Sequence, residues 1–290
     1  MKKFSLCLMA VVMTISLMAG CNSQPSESAA PVQPSAGAGD SSSTQPAADG
    51  IVTKADLEGK IVALQTDSSA EAALAGDEVS SKVKEVVKFP DNIAALNDLK
   101  AGRVDAVILD EVVANYYAAK DPSSFKVLND SLAAEEYGIA FKKGNTEIYN
   151  KVVAALGAMQ ADGTTAKIST EWFGKDIFKG NFEAPDEAIV PDTTGKKLVV
   201  GLDDSFPPMG FRDQNNEIVG FDIDLAKKVG AILGYEVVLQ PIDWASKELE
   251  LETGNIDCVW NALTITPERQ ESMLITAPYL ANNQVIVVKP

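Results

Sequence analysis

Leu99-Lys100-Ala101-Gly102-Arg103-Val104-Asp105-Ala106-Val107 recurs later in the chain as Leu251-Glu252-Thr253-Gly254-Asn255-Ile256-Asp257-Cys258-Val259. Each copy reads as a helix end, a Gly turn, and a buried strand with an Asp near its start. The same alternation continues outward from both copies. Ile61 to Gln65 reads as a strand, Asn92 to Ala101 as a helix and Val104 to Leu109 as the next strand. Leu198 to Leu202 is a strand, and Asp222 to Leu233 an amphipathic helix with Ile223, Ala226, Val229 and Leu233 on one face. Asp222 is placed to cap the start of that helix and Gly234 its end. Strands alternating with helices predict an α/β fold with a mostly parallel sheet, and the doubled segment predicts two lobes of similar construction.

Composition narrows the chemistry. The chain has 290 residues, of which 46% are apolar, enough for a sizeable core. Its net charge of −16 leaves no basic stripe for nucleic acid. There is no His, so Ser-His-Asp chemistry, Cys-His chemistry and ordinary zinc sites are excluded. No cofactor and no metal site are expected. Of the three Cys, Cys7 and Cys21 lie in or beside the N-terminal leader and Cys258 in the globular part, so no intrachain disulfide is expected there.

Residues 1–20 read as an export signal. Lys2 and Lys3 precede an apolar run from Phe4 to Met18 that is too short to span a membrane comfortably. It ends in Leu17-Met18-Ala19-Gly20-Cys21, which resembles a lipobox, with Cys21 the lipidated residue. Residues 21–50, rich in Ser, Ala, Pro, Gln and Gly, read as a flexible tether. A lipid and a tether suit a protein held at the cell membrane but working in water.

In open α/β sheets ligands bind beyond the carboxyl ends of strands. Asp203 to Phe211 follow the strand ending at Leu202, Asp243-Trp244 follow the one ending at Gln240, and Asn261 to Arg269 the one ending at Trp260. Asp67-Ser68-Ser69 and Asp110-Glu111 occupy the same position in the other half. Aromatics, an Arg, acids and hydroxyls gathered at strand ends form a set able to hold a zwitterion.

These residues carry a family likeness. Phe206-Pro-Pro-Met-Gly-Phe211, Gly220-Phe-Asp-Ile-Asp-Leu225-Ala226, Gly254-Asn-Ile-Asp257 and Leu263-Thr-Ile-Thr-Pro-Glu-Arg269 resemble the first lobe of the bacterial extracellular solute-binding proteins of family 3. Leu57-Glu-Gly-Lys60-Ile-Val-Ala63, Ser68-Ser69-Ala70, Ala101-Gly-Arg-Val-Asp105-Ala106, Leu109-Asp110-Glu111 and Glu171-Trp172-Phe173 resemble the remainder of the same proteins. The resemblance implies a two-lobed periplasmic-binding-protein fold of type II, a Venus flytrap. It also implies a binding role rather than an enzymatic one, with a free polar or basic amino acid as ligand and an ABC transporter permease as partner. A monomer is expected.

The order of the parts is not the usual one, and it reads as a circular permutation: lobe 2 over residues 51–135, the hinge return and terminal helices of lobe 1 over 136–178, a linker over 179–196, and the main part of lobe 1 over 197–290. The new ends are expected at one interlobe crossing, with the remaining crossing near Glu136 to Phe141. A tandem of two incomplete binding proteins is the competing arrangement. A dehydratase of the same fold and a ligand-sensing subunit are the competing functions.

The resemblance assigns roles to named residues. Arg269 clamps the ligand carboxylate through its planar fork; Thr264 and Ser69 add hydroxyls to it. Ala262 offers its carbonyl to the ammonium group, and Asp110 meets that ammonium from the opposite lobe. Phe206 and Trp244 sandwich the side chain. Asp203, or its neighbour Asp204, contacts the distal end and favours basic ligands; Asn261 and Glu248 are candidate pocket lining.

Overall fold

The computed structural model describes residues 50–290. The export signal, Cys21 and nearly all of the tether lie outside the described residues. Lobe 2 runs through Ile61–Gln65 (β1), Ser69–Gly76 (α1), Glu85–Phe89 (β2), Asn92–Ala101 (α2), Ala106–Asp110 (β3) and Glu111–Lys120 (α3). A long strand, Lys126–Lys142 (β4), leads to Thr146–Ala161 (α4) and Thr164–Phe173 (α5). Lobe 1 continues through Lys197–Leu202 (β5), Ser205–Phe206 (β6), Gly210–Arg212 (β7), Ile218–Val219 (β8), Phe221–Leu233 (α6) and Glu236–Pro241 (β9). Lys247–Thr253 (α7), Cys258–Thr264 (β10), Pro267–Ser272 (α8), Met273–Ile275 (β11) and Leu280–Val288 (β12) complete it.

One sheet runs through both lobes in the order β2-β1-β3-β12-β4-β10-β5-β9. The triplets β2-β1-β3 and β10-β5-β9 are parallel. Between them β12 and β4 pair antiparallel, and each joins a triplet. Both faces of the sheet are covered, so its strands read as continuous apolar runs. In lobe 2, Val62, Leu64, Ala106, Ile108, Ile286 and Val288 pack on one face. Their alternate neighbours Ala63, Val107, Leu109, Val285 and Val287 pack on the other.

The repeated segment folds twice into the same geometry. Gly102 and Gly254 both end their helices at left-handed φ, 74° and 76°. Asp105 Oδ2 accepts the Ile61 N–H at 2.7 Å, and Asp257 Oδ2 accepts the Val199 N–H at 2.7 Å. Each Asp therefore locks its own strand to the first strand of its lobe.

Two expectations are corrected. Asp222 does not cap α6: Gly220 is the capping residue and Asp222 lies buried in the first turn. Nor do both ends of the globular part fall at a crossing. β12 leaves lobe 1 after Tyr279 and enters lobe 2 to pair with β3 and with the first part of β4. Both crossings are therefore continuous strands. The antiparallel β12–β4 register holds them together, which a reading of single segments does not reveal.

The linker 179–196 is docked rather than free. Lys179 N–H donates to Tyr279 O at 2.8 Å, Gln160 Nε2 donates to Gly180 O at 2.6 Å, and Asp192 N–H donates to Leu233 O at 2.8 Å. Phe182 is buried in the main apolar cluster, to which α4 contributes Val152, Ala155, Leu156 and Met159. Among the described residues no helix is long and apolar enough to cross a membrane.

Candidate functional site

The carboxyl ends of the strands of both lobes meet around one small cavity of about 10 Å³, room for about one water. Lobe 1 contributes Phe206, Trp244, Ala262, Thr264 and Arg269, and lobe 2 contributes Ser69 and Asp110. Seven of the eight ligand-binding residues expected from the sequence are thus brought together. Gln65, Ser68 and Asn261 also line the cavity; of these, Gln65 was not expected.

Arg269 is positioned by the start of α8. Thr266 caps that helix by accepting the Arg269 N–H at 3.2 Å, and Pro267 opens its first turn. A guanidinium has five N–H donors. Here NH1 donates to Thr264 O at 2.9 Å and NH2 to Asp67 O at 3.4 Å. Among the described residues no carboxylate forms an ion pair with it. Burial pulls this guanidinium below its usual range, against the opposing charges of Asp67, Glu135, Asp110 and Glu248. A partly desolvated cation with spare donors is suited to an incoming carboxylate.

Asp110 ends β3 directly before α3 and is 5% exposed. Its Oδ1 accepts from Tyr137 OH at 2.6 Å and from Asn282 Nδ2 at 2.9 Å. Burial first, and then the Glu135 carboxylate, push it well above the usual carboxylate range. Ser69 is the first residue of α1, with Ser68 at the cap position. Its Oγ reaches Thr264 Oγ1 across the lobes at 3.0 Å.

Ala262 lies in an irregular stretch of β10. Pairing with β4 shifts register between Val259 and Leu263, and Ala262 adopts a left-handed φ of 52°. Its N–H donates to Asp222 Oδ2 at 2.8 Å, so the kink is held by α6. The start of α6 is fixed in turn by Gly220, at φ 144°, where a Cβ would meet Met209 O at 2.1 Å. Asp222 also accepts from Tyr279 OH at 2.9 Å. Its Oδ1 has no partner, and neither has the adjacent Trp260 Nε1.

Burial pushes Asp222 up to about 7. Between the usual carboxylate range and about 7 the folded chain therefore binds more protons here than the unfolded chain. Stability falls as pH rises through that window, by up to about 4 kcal/mol from this group. Asp222→Asn should lose that part of the fall. Melting the two proteins at pH 5 and pH 8 tests this: an equal loss in both would show that Asp222 does not titrate there.

Phe206 and Trp244 belong to separate apolar clusters and are 7% and 8% exposed. Asp203 is not part of the lining. Its Oδ1 takes the Ser205 N–H and Oγ, and its Oδ2 takes Gln65 Nε2 at 2.8 Å. A ligand side chain thus meets the Gln65 amide, with the carboxylate behind it. Asp204 pairs with Arg212 outside the cavity.

Sequence reading also missed Lys247. It is 1% exposed, and its Nζ donates to Asp67 Oδ2 at 2.5 Å, Trp244 O at 3.2 Å and Asp67 O at 3.3 Å. One buried lysine therefore joins the aromatic wall of lobe 1 to lobe 2. The signal available was its place one turn before buried Leu251 on α7.

A family model for bacterial extracellular solute-binding proteins, family 3, matches residues 42–175 and 198–290. The L-cystine-binding protein TcyJ of Escherichia coli is 31% identical over 129 residues, 44% of this chain and 47% of that protein. The arginine-binding extracellular protein ArtP of Bacillus subtilis is 35% identical over 94 residues, 32% of this chain and 36% of that one. The chain matches less than half the length of these two relatives. Among solved structures, a polar amino acid ABC uptake transporter substrate-binding protein from Streptococcus thermophilus shows 45% identity, covering 26% of this chain and 29% of that chain with a TM-score of 0.26.

Proposed function

This chain belongs to the bacterial extracellular solute-binding proteins, family 3, and we propose that it captures a free polar or basic amino acid outside the cytoplasmic membrane and delivers it to an ABC transporter permease. One observation carries this reading. The Arg269 guanidinium, without a carboxylate partner among the described residues, and the Asp110 carboxyl line the same cavity from opposite lobes. A cation and an acid facing each other across a small cavity complement the two charges of an amino acid. Ser69 and Thr264 add hydroxyls beside the cation, and Phe206 and Trp244 supply apolar walls. The chain has no His to act as a general base, and the reading is of a binding protein rather than an enzyme.

Anchoring through Cys21, the monomeric state and the exchanged order of the lobe segments are parts of the same proposal. Support for the exchanged order comes from the docked linker and from both crossings being continuous strands. Titration of purified residues 22–290 with free amino acids by calorimetry tests the function. A tight one-to-one response to one or a few of them is expected; a folded protein that binds none would sink the proposal.

The mechanism proposed is hinged closure about β4 and β12. The ligand first meets Arg269, Phe206 and Trp244, and Asp110 and Ser69 then come in from lobe 2. Cross-lobe bonds around the cavity, Lys247 to Asp67 and Gln65 to Asp203 among them, add to the closed form. Asp67 is largely exposed, so the Lys247 pair is worth about 1 kcal/mol after solvent screening. Lys247→Met should therefore weaken binding by roughly threefold to tenfold. It should also enlarge the change in X-ray scattering radius between ligand-free and saturated protein. Identical scattering with and without ligand in both proteins would refute closure.

A further inference from the structure

We propose that Gln284 is a positioning residue: it holds Ser69 as a hydrogen-bond donor and so sets the site to take a carboxylate rather than a neutral carboxamide. The inference rests on the amino-acid-binding reading given above. Gln284 is fully buried on β12 and is not among the residues that line the cavity. Its register partners are Asp110 on β3 and Ala133 on β4. It therefore lies on a crossing strand at the point where that strand meets lobe 2.

One amide nitrogen serves two acceptors from different elements. Gln284 Nε2 donates to Glu135 Oε1 of β4 at 2.7 Å and to Ser69 Oγ of α1 at 3.2 Å. A Gln amide carries two N–H donors on its nitrogen, and its oxygen only accepts. Glu135 Oε1 also takes Asn282 Nδ2 at 2.7 Å, so it acts as an acceptor toward both amides. Turning the Gln284 amide over would set its oxygen against Glu135 Oε1, acceptor against acceptor. Glu135 thereby fixes which end of the amide faces Ser69. Gln284 Oε1 stays buried without a partner among the described residues, so the two bonds of the nitrogen decide the orientation.

The consequence reaches the cavity through one hydroxyl. Ser69 Oγ has a single proton, and its side-chain partners are Gln284 Nε2 and Thr264 Oγ1, the latter at 3.0 Å. Since Oγ accepts from Gln284, its proton is directed at Thr264, and the Thr264 proton is left to go on to a ligand. Ser69, Thr264 and Arg269 line the same cavity. All three groups then present donors. A ligand carboxylate, with no hydrogen of its own, satisfies them; a carboxamide brings two N–H groups and meets donor with donor. Without the Gln284 amide, Ser69 can turn its lone pairs into the cavity, and part of this discrimination is lost.

The test is calorimetric titration at pH 6 of the wild type, Gln284→Met, Ser69→Ala and the double variant. The ligands are the amino acid the wild type binds and its α-carboxamide. Gln284→Met should weaken binding of the amino acid about tenfold, the scale of one lost hydrogen bond to a charged group. Its effect on the carboxamide should be less than about twofold, and in the Ser69→Ala background its effect on the amino acid should be equally small. Equal weakening of both ligands would show a merely structural role, and an equal loss with and without Ser69 would show that Gln284 does not act through it; either result overturns the proposal. Thermal melts establish which variants fold. If Gln284→Met does not, Ser69→Ala decides: the preference for amino acid over carboxamide should narrow about tenfold, and an unchanged preference would overturn the proposal equally. A folded wild type that binds no amino acid would instead overturn the functional reading on which it rests.

Discussion

Arg269→Lys should lower amino-acid affinity by about thirtyfold or more, the cost of about 2–5 kcal/mol found when a buried charge pair loses one partner. The charge survives this substitution, but the fork does not. NH1 and NH2 are anchored on Thr264 O and Asp67 O, one from each lobe. The remaining N–H groups are thereby aimed as a fixed plane, and a carboxylate can take two of them in parallel. A lysine ammonium is a point charge on a flexible stem, and it cannot hold both carbonyls and present paired donors at once. Arg269→Ala should reduce binding further. Neither change should shift the melting temperature much, since no ion pair is lost. Calorimetry with the preferred amino acid decides it: an unchanged dissociation constant in Arg269→Lys would mean that the carboxylate is bound elsewhere.

Gly157→Ala should destabilise the protein by about 1–3 kcal/mol, although alanine is the better helix former by about 1 kcal/mol. Gly157 lies in the middle of α4 and is buried. A Cβ there would stand 1.9 Å from Glu183 O and 2.6 Å from the Glu183 carbonyl carbon. Those atoms are backbone of the linker, which Gln160 holds on both sides through Gly180 O and the Phe182 N–H. The linker cannot move aside without giving up these bonds and the burial of Phe182. A fall in melting temperature of about 2–4 °C per kcal/mol is expected for a domain of this size, with faster proteolysis between residues 179 and 196. A rise in melting temperature would show that the linker does not dock on α4.

Several features were legible in the chain because they depend on neighbours in sequence. The strand Ile61–Gln65 and the helix Asn92–Ala101 were read to the residue. Period-two and 3.6-residue patterns reveal which face a segment buries whatever it packs against. The doubled Gly-x-x-Asp turn was legible for the same reason, since a left-handed Gly after a helix is a local requirement. Strand ends carrying Arg269, Thr264, Phe206, Trp244, Ser69 and Asp110 identified most of the cavity, because the topology of an α/β sheet sends those ends to one place.

Local reading failed where a residue's role is set by a partner far along the chain. Asp203 reads as an open carboxylate at a strand end, but Gln65 of the other lobe covers it. Nothing in its own segment marks Lys247 as more than a helix residue, but contact with Asp67 makes it a buried cross-lobe link. Nothing local marks Glu135, and only the β12–β4 register places it where Asn282 and Gln284 donate to it. By itself the sequence determined the elements, the two-lobed α/β plan and the residue types at the strand ends, since these follow from backbone preference and apolar periodicity. Tertiary structure alone decided which acids are masked, which lysine is buried and which strands form the hinge. Desolvation and hydrogen-bond partnership belong to pairs of residues brought together by the fold, and no single segment encodes them.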